Sequence, residues 1–189
     1  MVFTIESGRS KVCKNSLGGV SKLWLFPFVK YSRSQIITNE NILVTFPNTQ
    51  IYRFNFLGNP SIGNNQSENE GGKFHELDLS FSLQGSQQST NIEKLLYKDY
   101  RAIYQDRNGN FVILGLYNGL ECTNLTYNTG GGKSELNGFN LAFNGQEEKD
   151  VFFINSLEDA GFFDADFEYR ITQDGQFRIT QNNNFRVIE

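Results

Sequence analysis

Apolar and polar residues alternate with a period of two in several short segments of the chain. Between residues 77 and 83, every odd position is Leu or Phe and every even position is Asp or Ser. Residues 51–56 place Tyr52, Phe54 and Phe56 on one face of a second such segment. Because successive side chains of a strand point to opposite faces, this period predicts half-buried strands. The same reasoning, with shorter apolar runs, predicts strands at residues 20–29, 42–46, 51–56, 74–83, 102–105, 111–114, 120–126 and 139–143.

Turn-forming residues separate these segments. The Asn108-Gly109 pair between two apolar runs predicts a β-hairpin with a type I′ turn, which needs positive φ at both central residues. Three further Asn-Gly pairs, at 118–119, 137–138 and 144–145, are predicted to punctuate the strands around them. Residues 58–72 predict a long loop, and loops of that length are usually functional or disordered.

Helix signals are few. Residues 89–91 (Ser-Thr-Asn) are suited to cap a short helix that runs through residue 97, and a short acidic helix is expected at 156–161. The C-terminus carries a repeat of period eight at 169–173, 177–181 and 185–187. This repeat predicts a meander of short strands, whose open edge a neighbouring subunit would cover.

These elements predict an all-β protein, a β-sandwich or small β-barrel with one or two short helices, an N-terminal arm and long inter-strand loops. At 189 residues the chain has the size of one ordinary domain. The expected division is an N-terminal arm at 1–19, a β domain at 20–165 and a C-terminal meander at 166–189.

Composition narrows the function. A net charge of −4 and a pI near 5.1 argue against a nonspecific grip on DNA. Cys13 and Cys122 stand in no metal-ligand spacing, so reduced thiols are expected, with a disulfide as the alternative. The N-terminus lacks the layout of a signal peptide, and the longest apolar run, 23–29, is too short to span a bilayer. We therefore expect a protein folded in a cytoplasm without a membrane anchor.

Three motifs could carry chemistry, and a structural role is favoured for each. Residues 128–134 look like a phosphate-binding loop, but Tyr127 stands where that pattern requires glycine and no helix follows. His75 is the only histidine and stands beside a strand start, as surface histidines commonly do. The acidic stretch from residue 158 lacks the glycine of a calcium loop. An acidic surface or channel lining is expected there instead, at Asp159, Asp164, Asp166 and Glu168. No enzymatic activity, cofactor or metal is predicted.

Two stretches resemble the tail tube proteins of tailed bacteriophages, especially those of phages infecting Bacteroidota. The first is DRNGNFVILGLYNGLE at 106–121, followed by the Gly-rich segment 127–134 and by LNGFNLAFNGQE at 136–147. The second is CKNSLGGV at 13–20, leading into KLWL at 22–25. Together they cover roughly the first third of the chain and residues 100–150.

The resemblance implies a structural protein of the virion tail, assembled in the host cytoplasm. Its sheets would join edge to edge in a hexameric ring, and stacked rings would form the channel through which DNA is ejected without specific binding. Partners would be further copies, the sheath or tail terminator, the baseplate hub and the tape measure. Assembly contacts are expected in the arm and in the 58–72 loop, at Cys13, Gly18, Gly19, Trp24, Asn59, Pro60, Gly71 and Gly72.

Other functions stay open at this point. The C-terminal meander departs from a minimal tube protein, which leaves a tail terminator, completion protein or baseplate-hub adaptor as alternatives. A β-sandwich module that binds carbohydrate or a receptor is the rival from a different class. A hydrolase that uses His75 is a weaker third option.

Overall fold

The computed structural model describes residues 17–69, 72–85, 92–132 and 136–165, together with the backbone of 169–171 and 177–179. Within these ranges the protein is all-β, as the alternating pattern predicts, and its helical content is confined to one short 3₁₀ segment, Lys94–Tyr97, with the two residues before it. The strands are β1 (Val20–Pro27), β2 (Ile37–Asn39), β3 (Ile42–Thr45), β4 (Thr49–Phe54), β5 (Leu57–Asn69), β6 (Gly72–Gln84), β7 (Tyr100–Asp106), β8 (Phe111–Leu114), β9 (Glu121–Asn128), β10 (Gly138–Glu147), β11 (Phe152–Ile154), β12 (Phe162–Asp164), β13 (Tyr169–Ile171) and β14 (Phe177–Ile179).

Two sheets make up the β domain. The large sheet has eight described strands in the order β12-β4-β1-β7-β8-β11-β3-β2, and the small sheet has the order β5-β6-β10-β9. All neighbours in the small sheet are antiparallel. β13 and β14 pair separately as an antiparallel ribbon, in agreement with the first two repeats of the predicted meander. The third repeat, at 185–187, lies outside the described residues.

The small sheet packs on one face of the large sheet and encloses what we call the inter-sheet core. β1 sends Leu23 and Leu25 into this core and Trp24 and Phe26 to the opposite face. The alternation predicted for residues 77–83 is confirmed, since all four apolar side chains are buried. Buried members of this core are Leu23, Leu25, Leu77, Leu79, Phe81, Leu83, Leu95, Tyr100, Ala102, Leu114, Leu120, Cys122, Phe139, Leu141 and Phe143.

The large sheet curls around a second, aromatic core, which we call the barrel core. Its two ends approach each other where the N–H of Phe46, just after β3, donates to the carbonyl of Ala160, just before β12 (2.8 Å). The rings of Phe46 and Phe162 stack there at 5.0 Å. Buried members are Trp24, Phe26, Ile36, Leu43, Phe46, Ile51, Ile103, Ile113, Leu116, Phe152, Ile154, Ala160 and Phe162.

Burial on both faces of the large sheet corrects the prediction for β4. Ile51 is fully buried in the barrel core, whereas Tyr52, predicted to share the buried face, is 47% exposed. The small sheet does not cover Tyr52, although Phe54 and Phe56 do pack against the inter-sheet core.

The loop predicted at 58–72 is wrong. Residues 57–69 form β5, which pairs with β6 from Leu57↔Ser82 to Asn69↔Gly72. Asn, Gly and Ser have low strand propensity, so the pairing with the strongly alternating β6 holds these residues extended. The hairpin that results runs along one side of the small sheet.

The β7–β8 hairpin is confirmed, but its turn is not type I′. Gly109 has a φ of 92°, while Glu40 is the one described non-glycine residue with positive φ, so Asn108 does not share the I′ geometry. The N–H of Gly109 donates to the carbonyl of Asp106 (3.2 Å), and the Asp106 carboxylate accepts the backbone N–H groups of Asn108 and Asn110 (2.8 Å each). These side-chain bonds stabilise a longer turn instead.

Both predicted helices are reduced to turns where the structure describes them. Residues 94–97 form a single 3₁₀ turn with Leu95 buried, and 89–91 lie outside the described residues. Residues 157–161 form a turn closed by the N–H of Phe162 donating to the carbonyl of Leu157 (2.8 Å).

The Asn144-Gly145 pair does not punctuate strands, because it lies inside β10. A Cβ built on Gly145 would lie 2.5 Å from the carbonyl oxygen of Gly119. Glycine is therefore needed at this position because two backbones approach each other closely.

Candidate assembly surface

The outer face of the small sheet, opposite the inter-sheet core, is polar. Asp78 of β6 is the register partner of Asn144 in β10, which in turn pairs with Glu121 in β9. By strand alternation, no Lys or Arg of the four strands falls on this face. We call it the polar face; its central described positions are Ser61, Gly63, Asn65, Glu76, Asp78, Ser80, Ser82, Glu121, Asn124, Thr126, Asn140, Ala142, Asn144 and Gln146.

A shallow depression of about 580 Å³ opens on the polar face. Its lining includes the carboxylates of Glu76, Asp78, Asp99 and Glu121 and neither a basic nor an aromatic side chain. In the part of the chain that the structure describes, no three His, Cys, Asp or Glu residues are grouped so that they could hold a metal ion. The depression is thus an open acidic surface that repels phosphate groups.

Both outer strands of the small sheet have an unpaired side. From Gly58 to Glu68, no described strand pairs with the outer edge of β5. β9 lies at the other edge, where the 3₁₀ segment contacts it but no described strand pairs with it. Pro60 and a bulge hinder pairing with another strand only at the start of β5. Residues 61–67 contain neither a charged residue nor proline. Such an edge is a template for pairing with another chain.

The described chain enters the β domain beside the β7–β8 turn. The Asn108 side chain accepts the N–H of Leu17 (3.0 Å) and donates to its carbonyl (3.1 Å). The N–H of Arg107 donates to the carbonyl of Gly19 (3.1 Å), and its guanidinium donates to Asn59 Oδ1 (2.8 Å). Two of the predicted assembly residues, Gly19 and Asn59, are therefore brought together near the first described residues. Residues 1–16 of the predicted arm lie outside the described residues.

The other predicted assembly residues are scattered. Gly18 is exposed next to Gly19, whereas Pro60 is buried, so the prediction of Pro60 as a surface contact is wrong for the single chain. Gly72 is exposed at the end of the β5–β6 hairpin, with a φ of 119°. Cys13 and Gly71 lie outside the described residues.

Trp24 and Asp164 correct two predictions at once. Trp24 is 2% exposed and Asp164 is 6% exposed, and the indole Nε1–H donates to Asp164 Oδ2 at 2.8 Å. In the single chain neither is exposed as the predictions required; they form a buried polar pair at the barrel core. Asp159 is exposed, as predicted, and Asp166 and Glu168 lie outside the described residues.

The structure also has an acidic surface that the sequence analysis did not predict. Glu76, Asp78 and Glu121 form it, and the signal for Asp78 was already present in the alternation of residues 77–83. The polar half of that pattern is recognised as part of a continuous outer face only once β10 is known to lie beside β6 and β9 beside β10.

A buried arginine ties three segments together. Arg101 is 1% exposed, and its guanidinium donates to the carbonyls of Leu116 (3.0 Å) and Val29 (2.9 Å). The ring of Phe28 lies 4.2 Å from the guanidinium carbon. Burial lowers the pKa of Arg101 to about 10, against the charges of Tyr31 and Glu147, which raise it.

Glu147 binds the same loop between β8 and β9 that Arg101 contacts through Leu116. It is 4% exposed, and its Oε1 accepts the N–H groups of Tyr117 (2.8 Å) and Asn118 (2.9 Å). Burial raises the pKa of Glu147, although these hydrogen bonds and the charge of Arg101 oppose the rise. Within the described ranges, Glu147 Oε2 and Arg101 Nη1 have no hydrogen-bond partner.

Among the described residues, the motifs considered for chemistry do not form a reactive site; residues 133–134 of the segment that looks like a phosphate-binding loop lie outside them. His75 Nδ1 lies 3.2 Å from Asn64 Oδ1 and 4.0 Å from Asp150 Oδ1, a surface polar network. Cys122 is buried as a free thiol, and burial raises its pKa, so it is a poor nucleophile. None of the helical segments in the described ranges has the length and apolar character needed to cross a membrane.

Comparison with protein-family models, with curated proteins and with solved structures finds no match to this chain. Its surfaces, and the motifs at 13–25 and 106–147, are therefore the basis on which a function is assigned.

Proposed function

We propose that this chain is a structural subunit that joins copies of itself edge to edge into a ring, and that stacked rings form a phage tail tube. The observation that carries the proposal is the small sheet, which is antiparallel and whose two outer strands have an edge that no described strand pairs with. Its polar face is acidic and has no Lys or Arg from the four strands. The resemblance of residues 13–25 and 106–147 to tail tube proteins is the reason for proposing that this assembly is a tail tube.

The strand order makes a head-to-tail join geometrically simple. Because the small sheet has four antiparallel strands, its outer strands β5 and β9 run in opposite directions. When β9 of one copy lies beside β5 of the next, the two strands are antiparallel and the alternation continues. A repeated head-to-tail contact closes into a ring when its rotation closes, and a ring removes the free edges.

The polar face suits the inside of such a ring. Its side chains are small, uncharged or acidic, and a negative wall repels DNA phosphates, so DNA would slide through without specific binding. The inter-sheet core would then lie behind this wall and the large sheet outside it. The tube role places the protein in the virion tail, in contact with the sheath or terminator, the baseplate hub and the tape measure.

The alternatives differ in their support. A tail terminator, completion protein or hub adaptor would use the same edges in a single ring, without stacking. A carbohydrate-binding module would stack sugar rings on aromatic side chains, and the acidic depression has none in its lining. A structural role is also favoured over a catalytic one, because His75 bonds an amide rather than a nucleophile.

A pair of proline substitutions in β5 tests the join. Consecutive strand residues direct their N–H groups to opposite edges, so of Asn65→Pro and Gln66→Pro one removes a hydrogen bond to β6 and the other removes a donor from the open edge. We expect the variant with the higher melting temperature to be the edge variant and to stay monomeric in light scattering at concentrations where the unaltered chain assembles. Assembly by that variant would overturn the β5–β9 join.

A further inference from the structure

A row of apolar side chains on the large sheet extends past the area that the small sheet covers. Tyr104, Val112, Phe153 and Ile42 follow one another as register partners across β7, β8, β11 and β3. Tyr104 packs against the inter-sheet core and Val112 is 3% exposed, but Phe153 is 45% exposed. Val44, on the same face of β3 as Ile42, is 46% exposed. We call Ile42, Val44 and Phe153 the shelf.

The shelf begins next to the open edge of β5. Asp150, just before β11, accepts a hydrogen bond from Asn64 of β5 (2.5 Å). Val151 and Ile62 of β5 both pack against the inter-sheet core. The cover over the large sheet therefore ends at β5, and Phe153 lies just past it.

The opposite edge of the small sheet carries matching apolar side chains. On β9, Leu125 packs against the inter-sheet core, and Tyr127, two residues on, lies on the same face with its ring 4.9 Å from that of Phe139. Tyr127 is nevertheless 46% exposed, because β9 is the last described strand on this side.

We propose that the shelf is covered by β9 of a second copy of this chain, with Tyr127 as the anchoring side chain. This rests on the proposed join of β5 with β9. A strand added to β5 extends the small-sheet layer by one strand spacing, about 4.8 Å, over the shelf. The layer keeps its two faces, so the added strand directs Leu125 and Tyr127 toward the shelf.

The join thereby gains an apolar anchor in addition to backbone pairing. Tyrosine is enriched among residues that dominate interface energies, because it buries a large ring at low entropic cost. Each copy would cover the shelf of one neighbour and have its own shelf covered by the other, as a head-to-tail ring requires.

Thiol cross-linking tests the contact. The test protein carries Val44→Cys and Thr129→Cys with Cys13→Ser, so that the Tyr127 ring is kept and the new thiol lies just after β9. A short bifunctional maleimide links neighbouring thiols. The shelf and β9 lie at opposite edges of the small sheet, so links form only between copies. We expect a ladder of dimers, trimers and higher species on a denaturing gel. The matched control replaces Val44→Cys by Tyr52→Cys, which is as exposed (47%) but lies on β4, on the other flank of the large sheet.

Each outcome decides between the two proposals. A ladder from the shelf pair alone supports the contact. Rings in electron micrographs without a ladder, or equal ladders from both pairs, overturn the shelf contact and leave the tube proposal standing. Neither rings nor a ladder overturns both.

A charge on the shelf provides a second test. Phe153→Asp would place a carboxylate under the partner strand, and we expect the concentration needed for assembly to rise tenfold or more, a change of about 1.4 kcal/mol. Phe153→Leu is the control and is expected to assemble. Circular dichroism checks that both variants fold. Unchanged assembly of folded Phe153→Asp would refute the proposal.

Discussion

The hydrogen bond from Trp24 to Asp164 joins two residues 140 positions apart inside a largely apolar region. A donor lost from a buried carboxylate costs more than a hydrogen bond at the surface, since water does not replace it. This pair therefore fixes the position of β12 at the edge of the large sheet, where few residues pair.

Trp24→Phe tests that pair at the level of a single atom. The variant keeps an aromatic ring in the barrel core and loses the Nε1–H, so we expect the free energy of unfolding to fall by about 1–3 kcal/mol. Urea denaturation measures it. Phe26→Leu, a change of ring packing without a polar partner, provides the comparison, and a Trp24→Phe variant as stable as the unaltered chain would contradict the assignment.

Glu147 predicts a specific dependence of stability on pH. Because burial raises its pKa above the usual 4.5, the folded state holds the proton more tightly than the unfolded chain does. The stability that this provides is complete below pH 4.5 and is lost as the pH rises through the raised pKa. In Glu147→Gln, the side-chain oxygen still accepts from Tyr117 and Asn118, but nothing titrates. We therefore expect the variant to become more stable relative to the unaltered chain as the pH rises from acid to neutral.

Denaturant unfolding of the unaltered chain and of Glu147→Gln, each at an acid and at a neutral pH, measures this difference. Glu148→Gln, at an exposed neighbour paired with Arg33 on the surface, is the matched control and is expected to shift little. Parallel pH profiles for the Glu147→Gln variant and the unaltered chain would show that Glu147 titrates normally.

Among the strands, Gly145 is a glycine that allows two backbones to approach closely and does not form a turn. Its Cβ would press on the carbonyl of Gly119, a backbone atom that cannot rotate away. We expect Gly145→Ala to lower the free energy of unfolding by about 1–3 kcal/mol. Gly132→Ala is the control, because no atom of the described residues lies within 4 Å of a Cβ there. Equal melting temperatures for the two variants would mean that β10 and the 115–119 loop are not in close contact.

The elements that sequence reasoning found are those with a local signal. β6 declares itself because Leu77, Leu79, Phe81 and Leu83 alternate with polar residues, and one buried face is enough to produce that pattern. The β7–β8 hairpin is equally visible from its turn. Its turn type was missed, because the Asp106 carboxylate organises the backbone around Asn108 and Asn110 in a way that the Asn-Gly pair does not reveal.

The elements that were missed depend on partners distant in the chain. β5 has no apolar period of its own and is a strand because β6 pairs with it. Asp164 was predicted to be a surface acid because a carboxylate with no visible partner belongs in water, and its partner Trp24 is in β1. The acidic face at Glu76, Asp78 and Glu121 combines three strands that only the sheet order brings together.

The two sheets differ in how completely they are covered. The large sheet is buried by the small sheet on part of one face and by its own curvature on the other. The small sheet is covered on one face only and leaves β5 and β9 with unpaired sides in the described chain. An uncovered shelf near one edge and an exposed Tyr127 at the other complete an asymmetric molecule that is suited to head-to-tail contact.

Electron microscopy of the purified chain in negative stain is the most direct test of this account. It predicts closed rings with an open centre, and hollow tubes as the concentration rises. A protein that remains monomeric at every concentration, with hydrogen exchange showing the outer amides of β5 already protected, would contradict it.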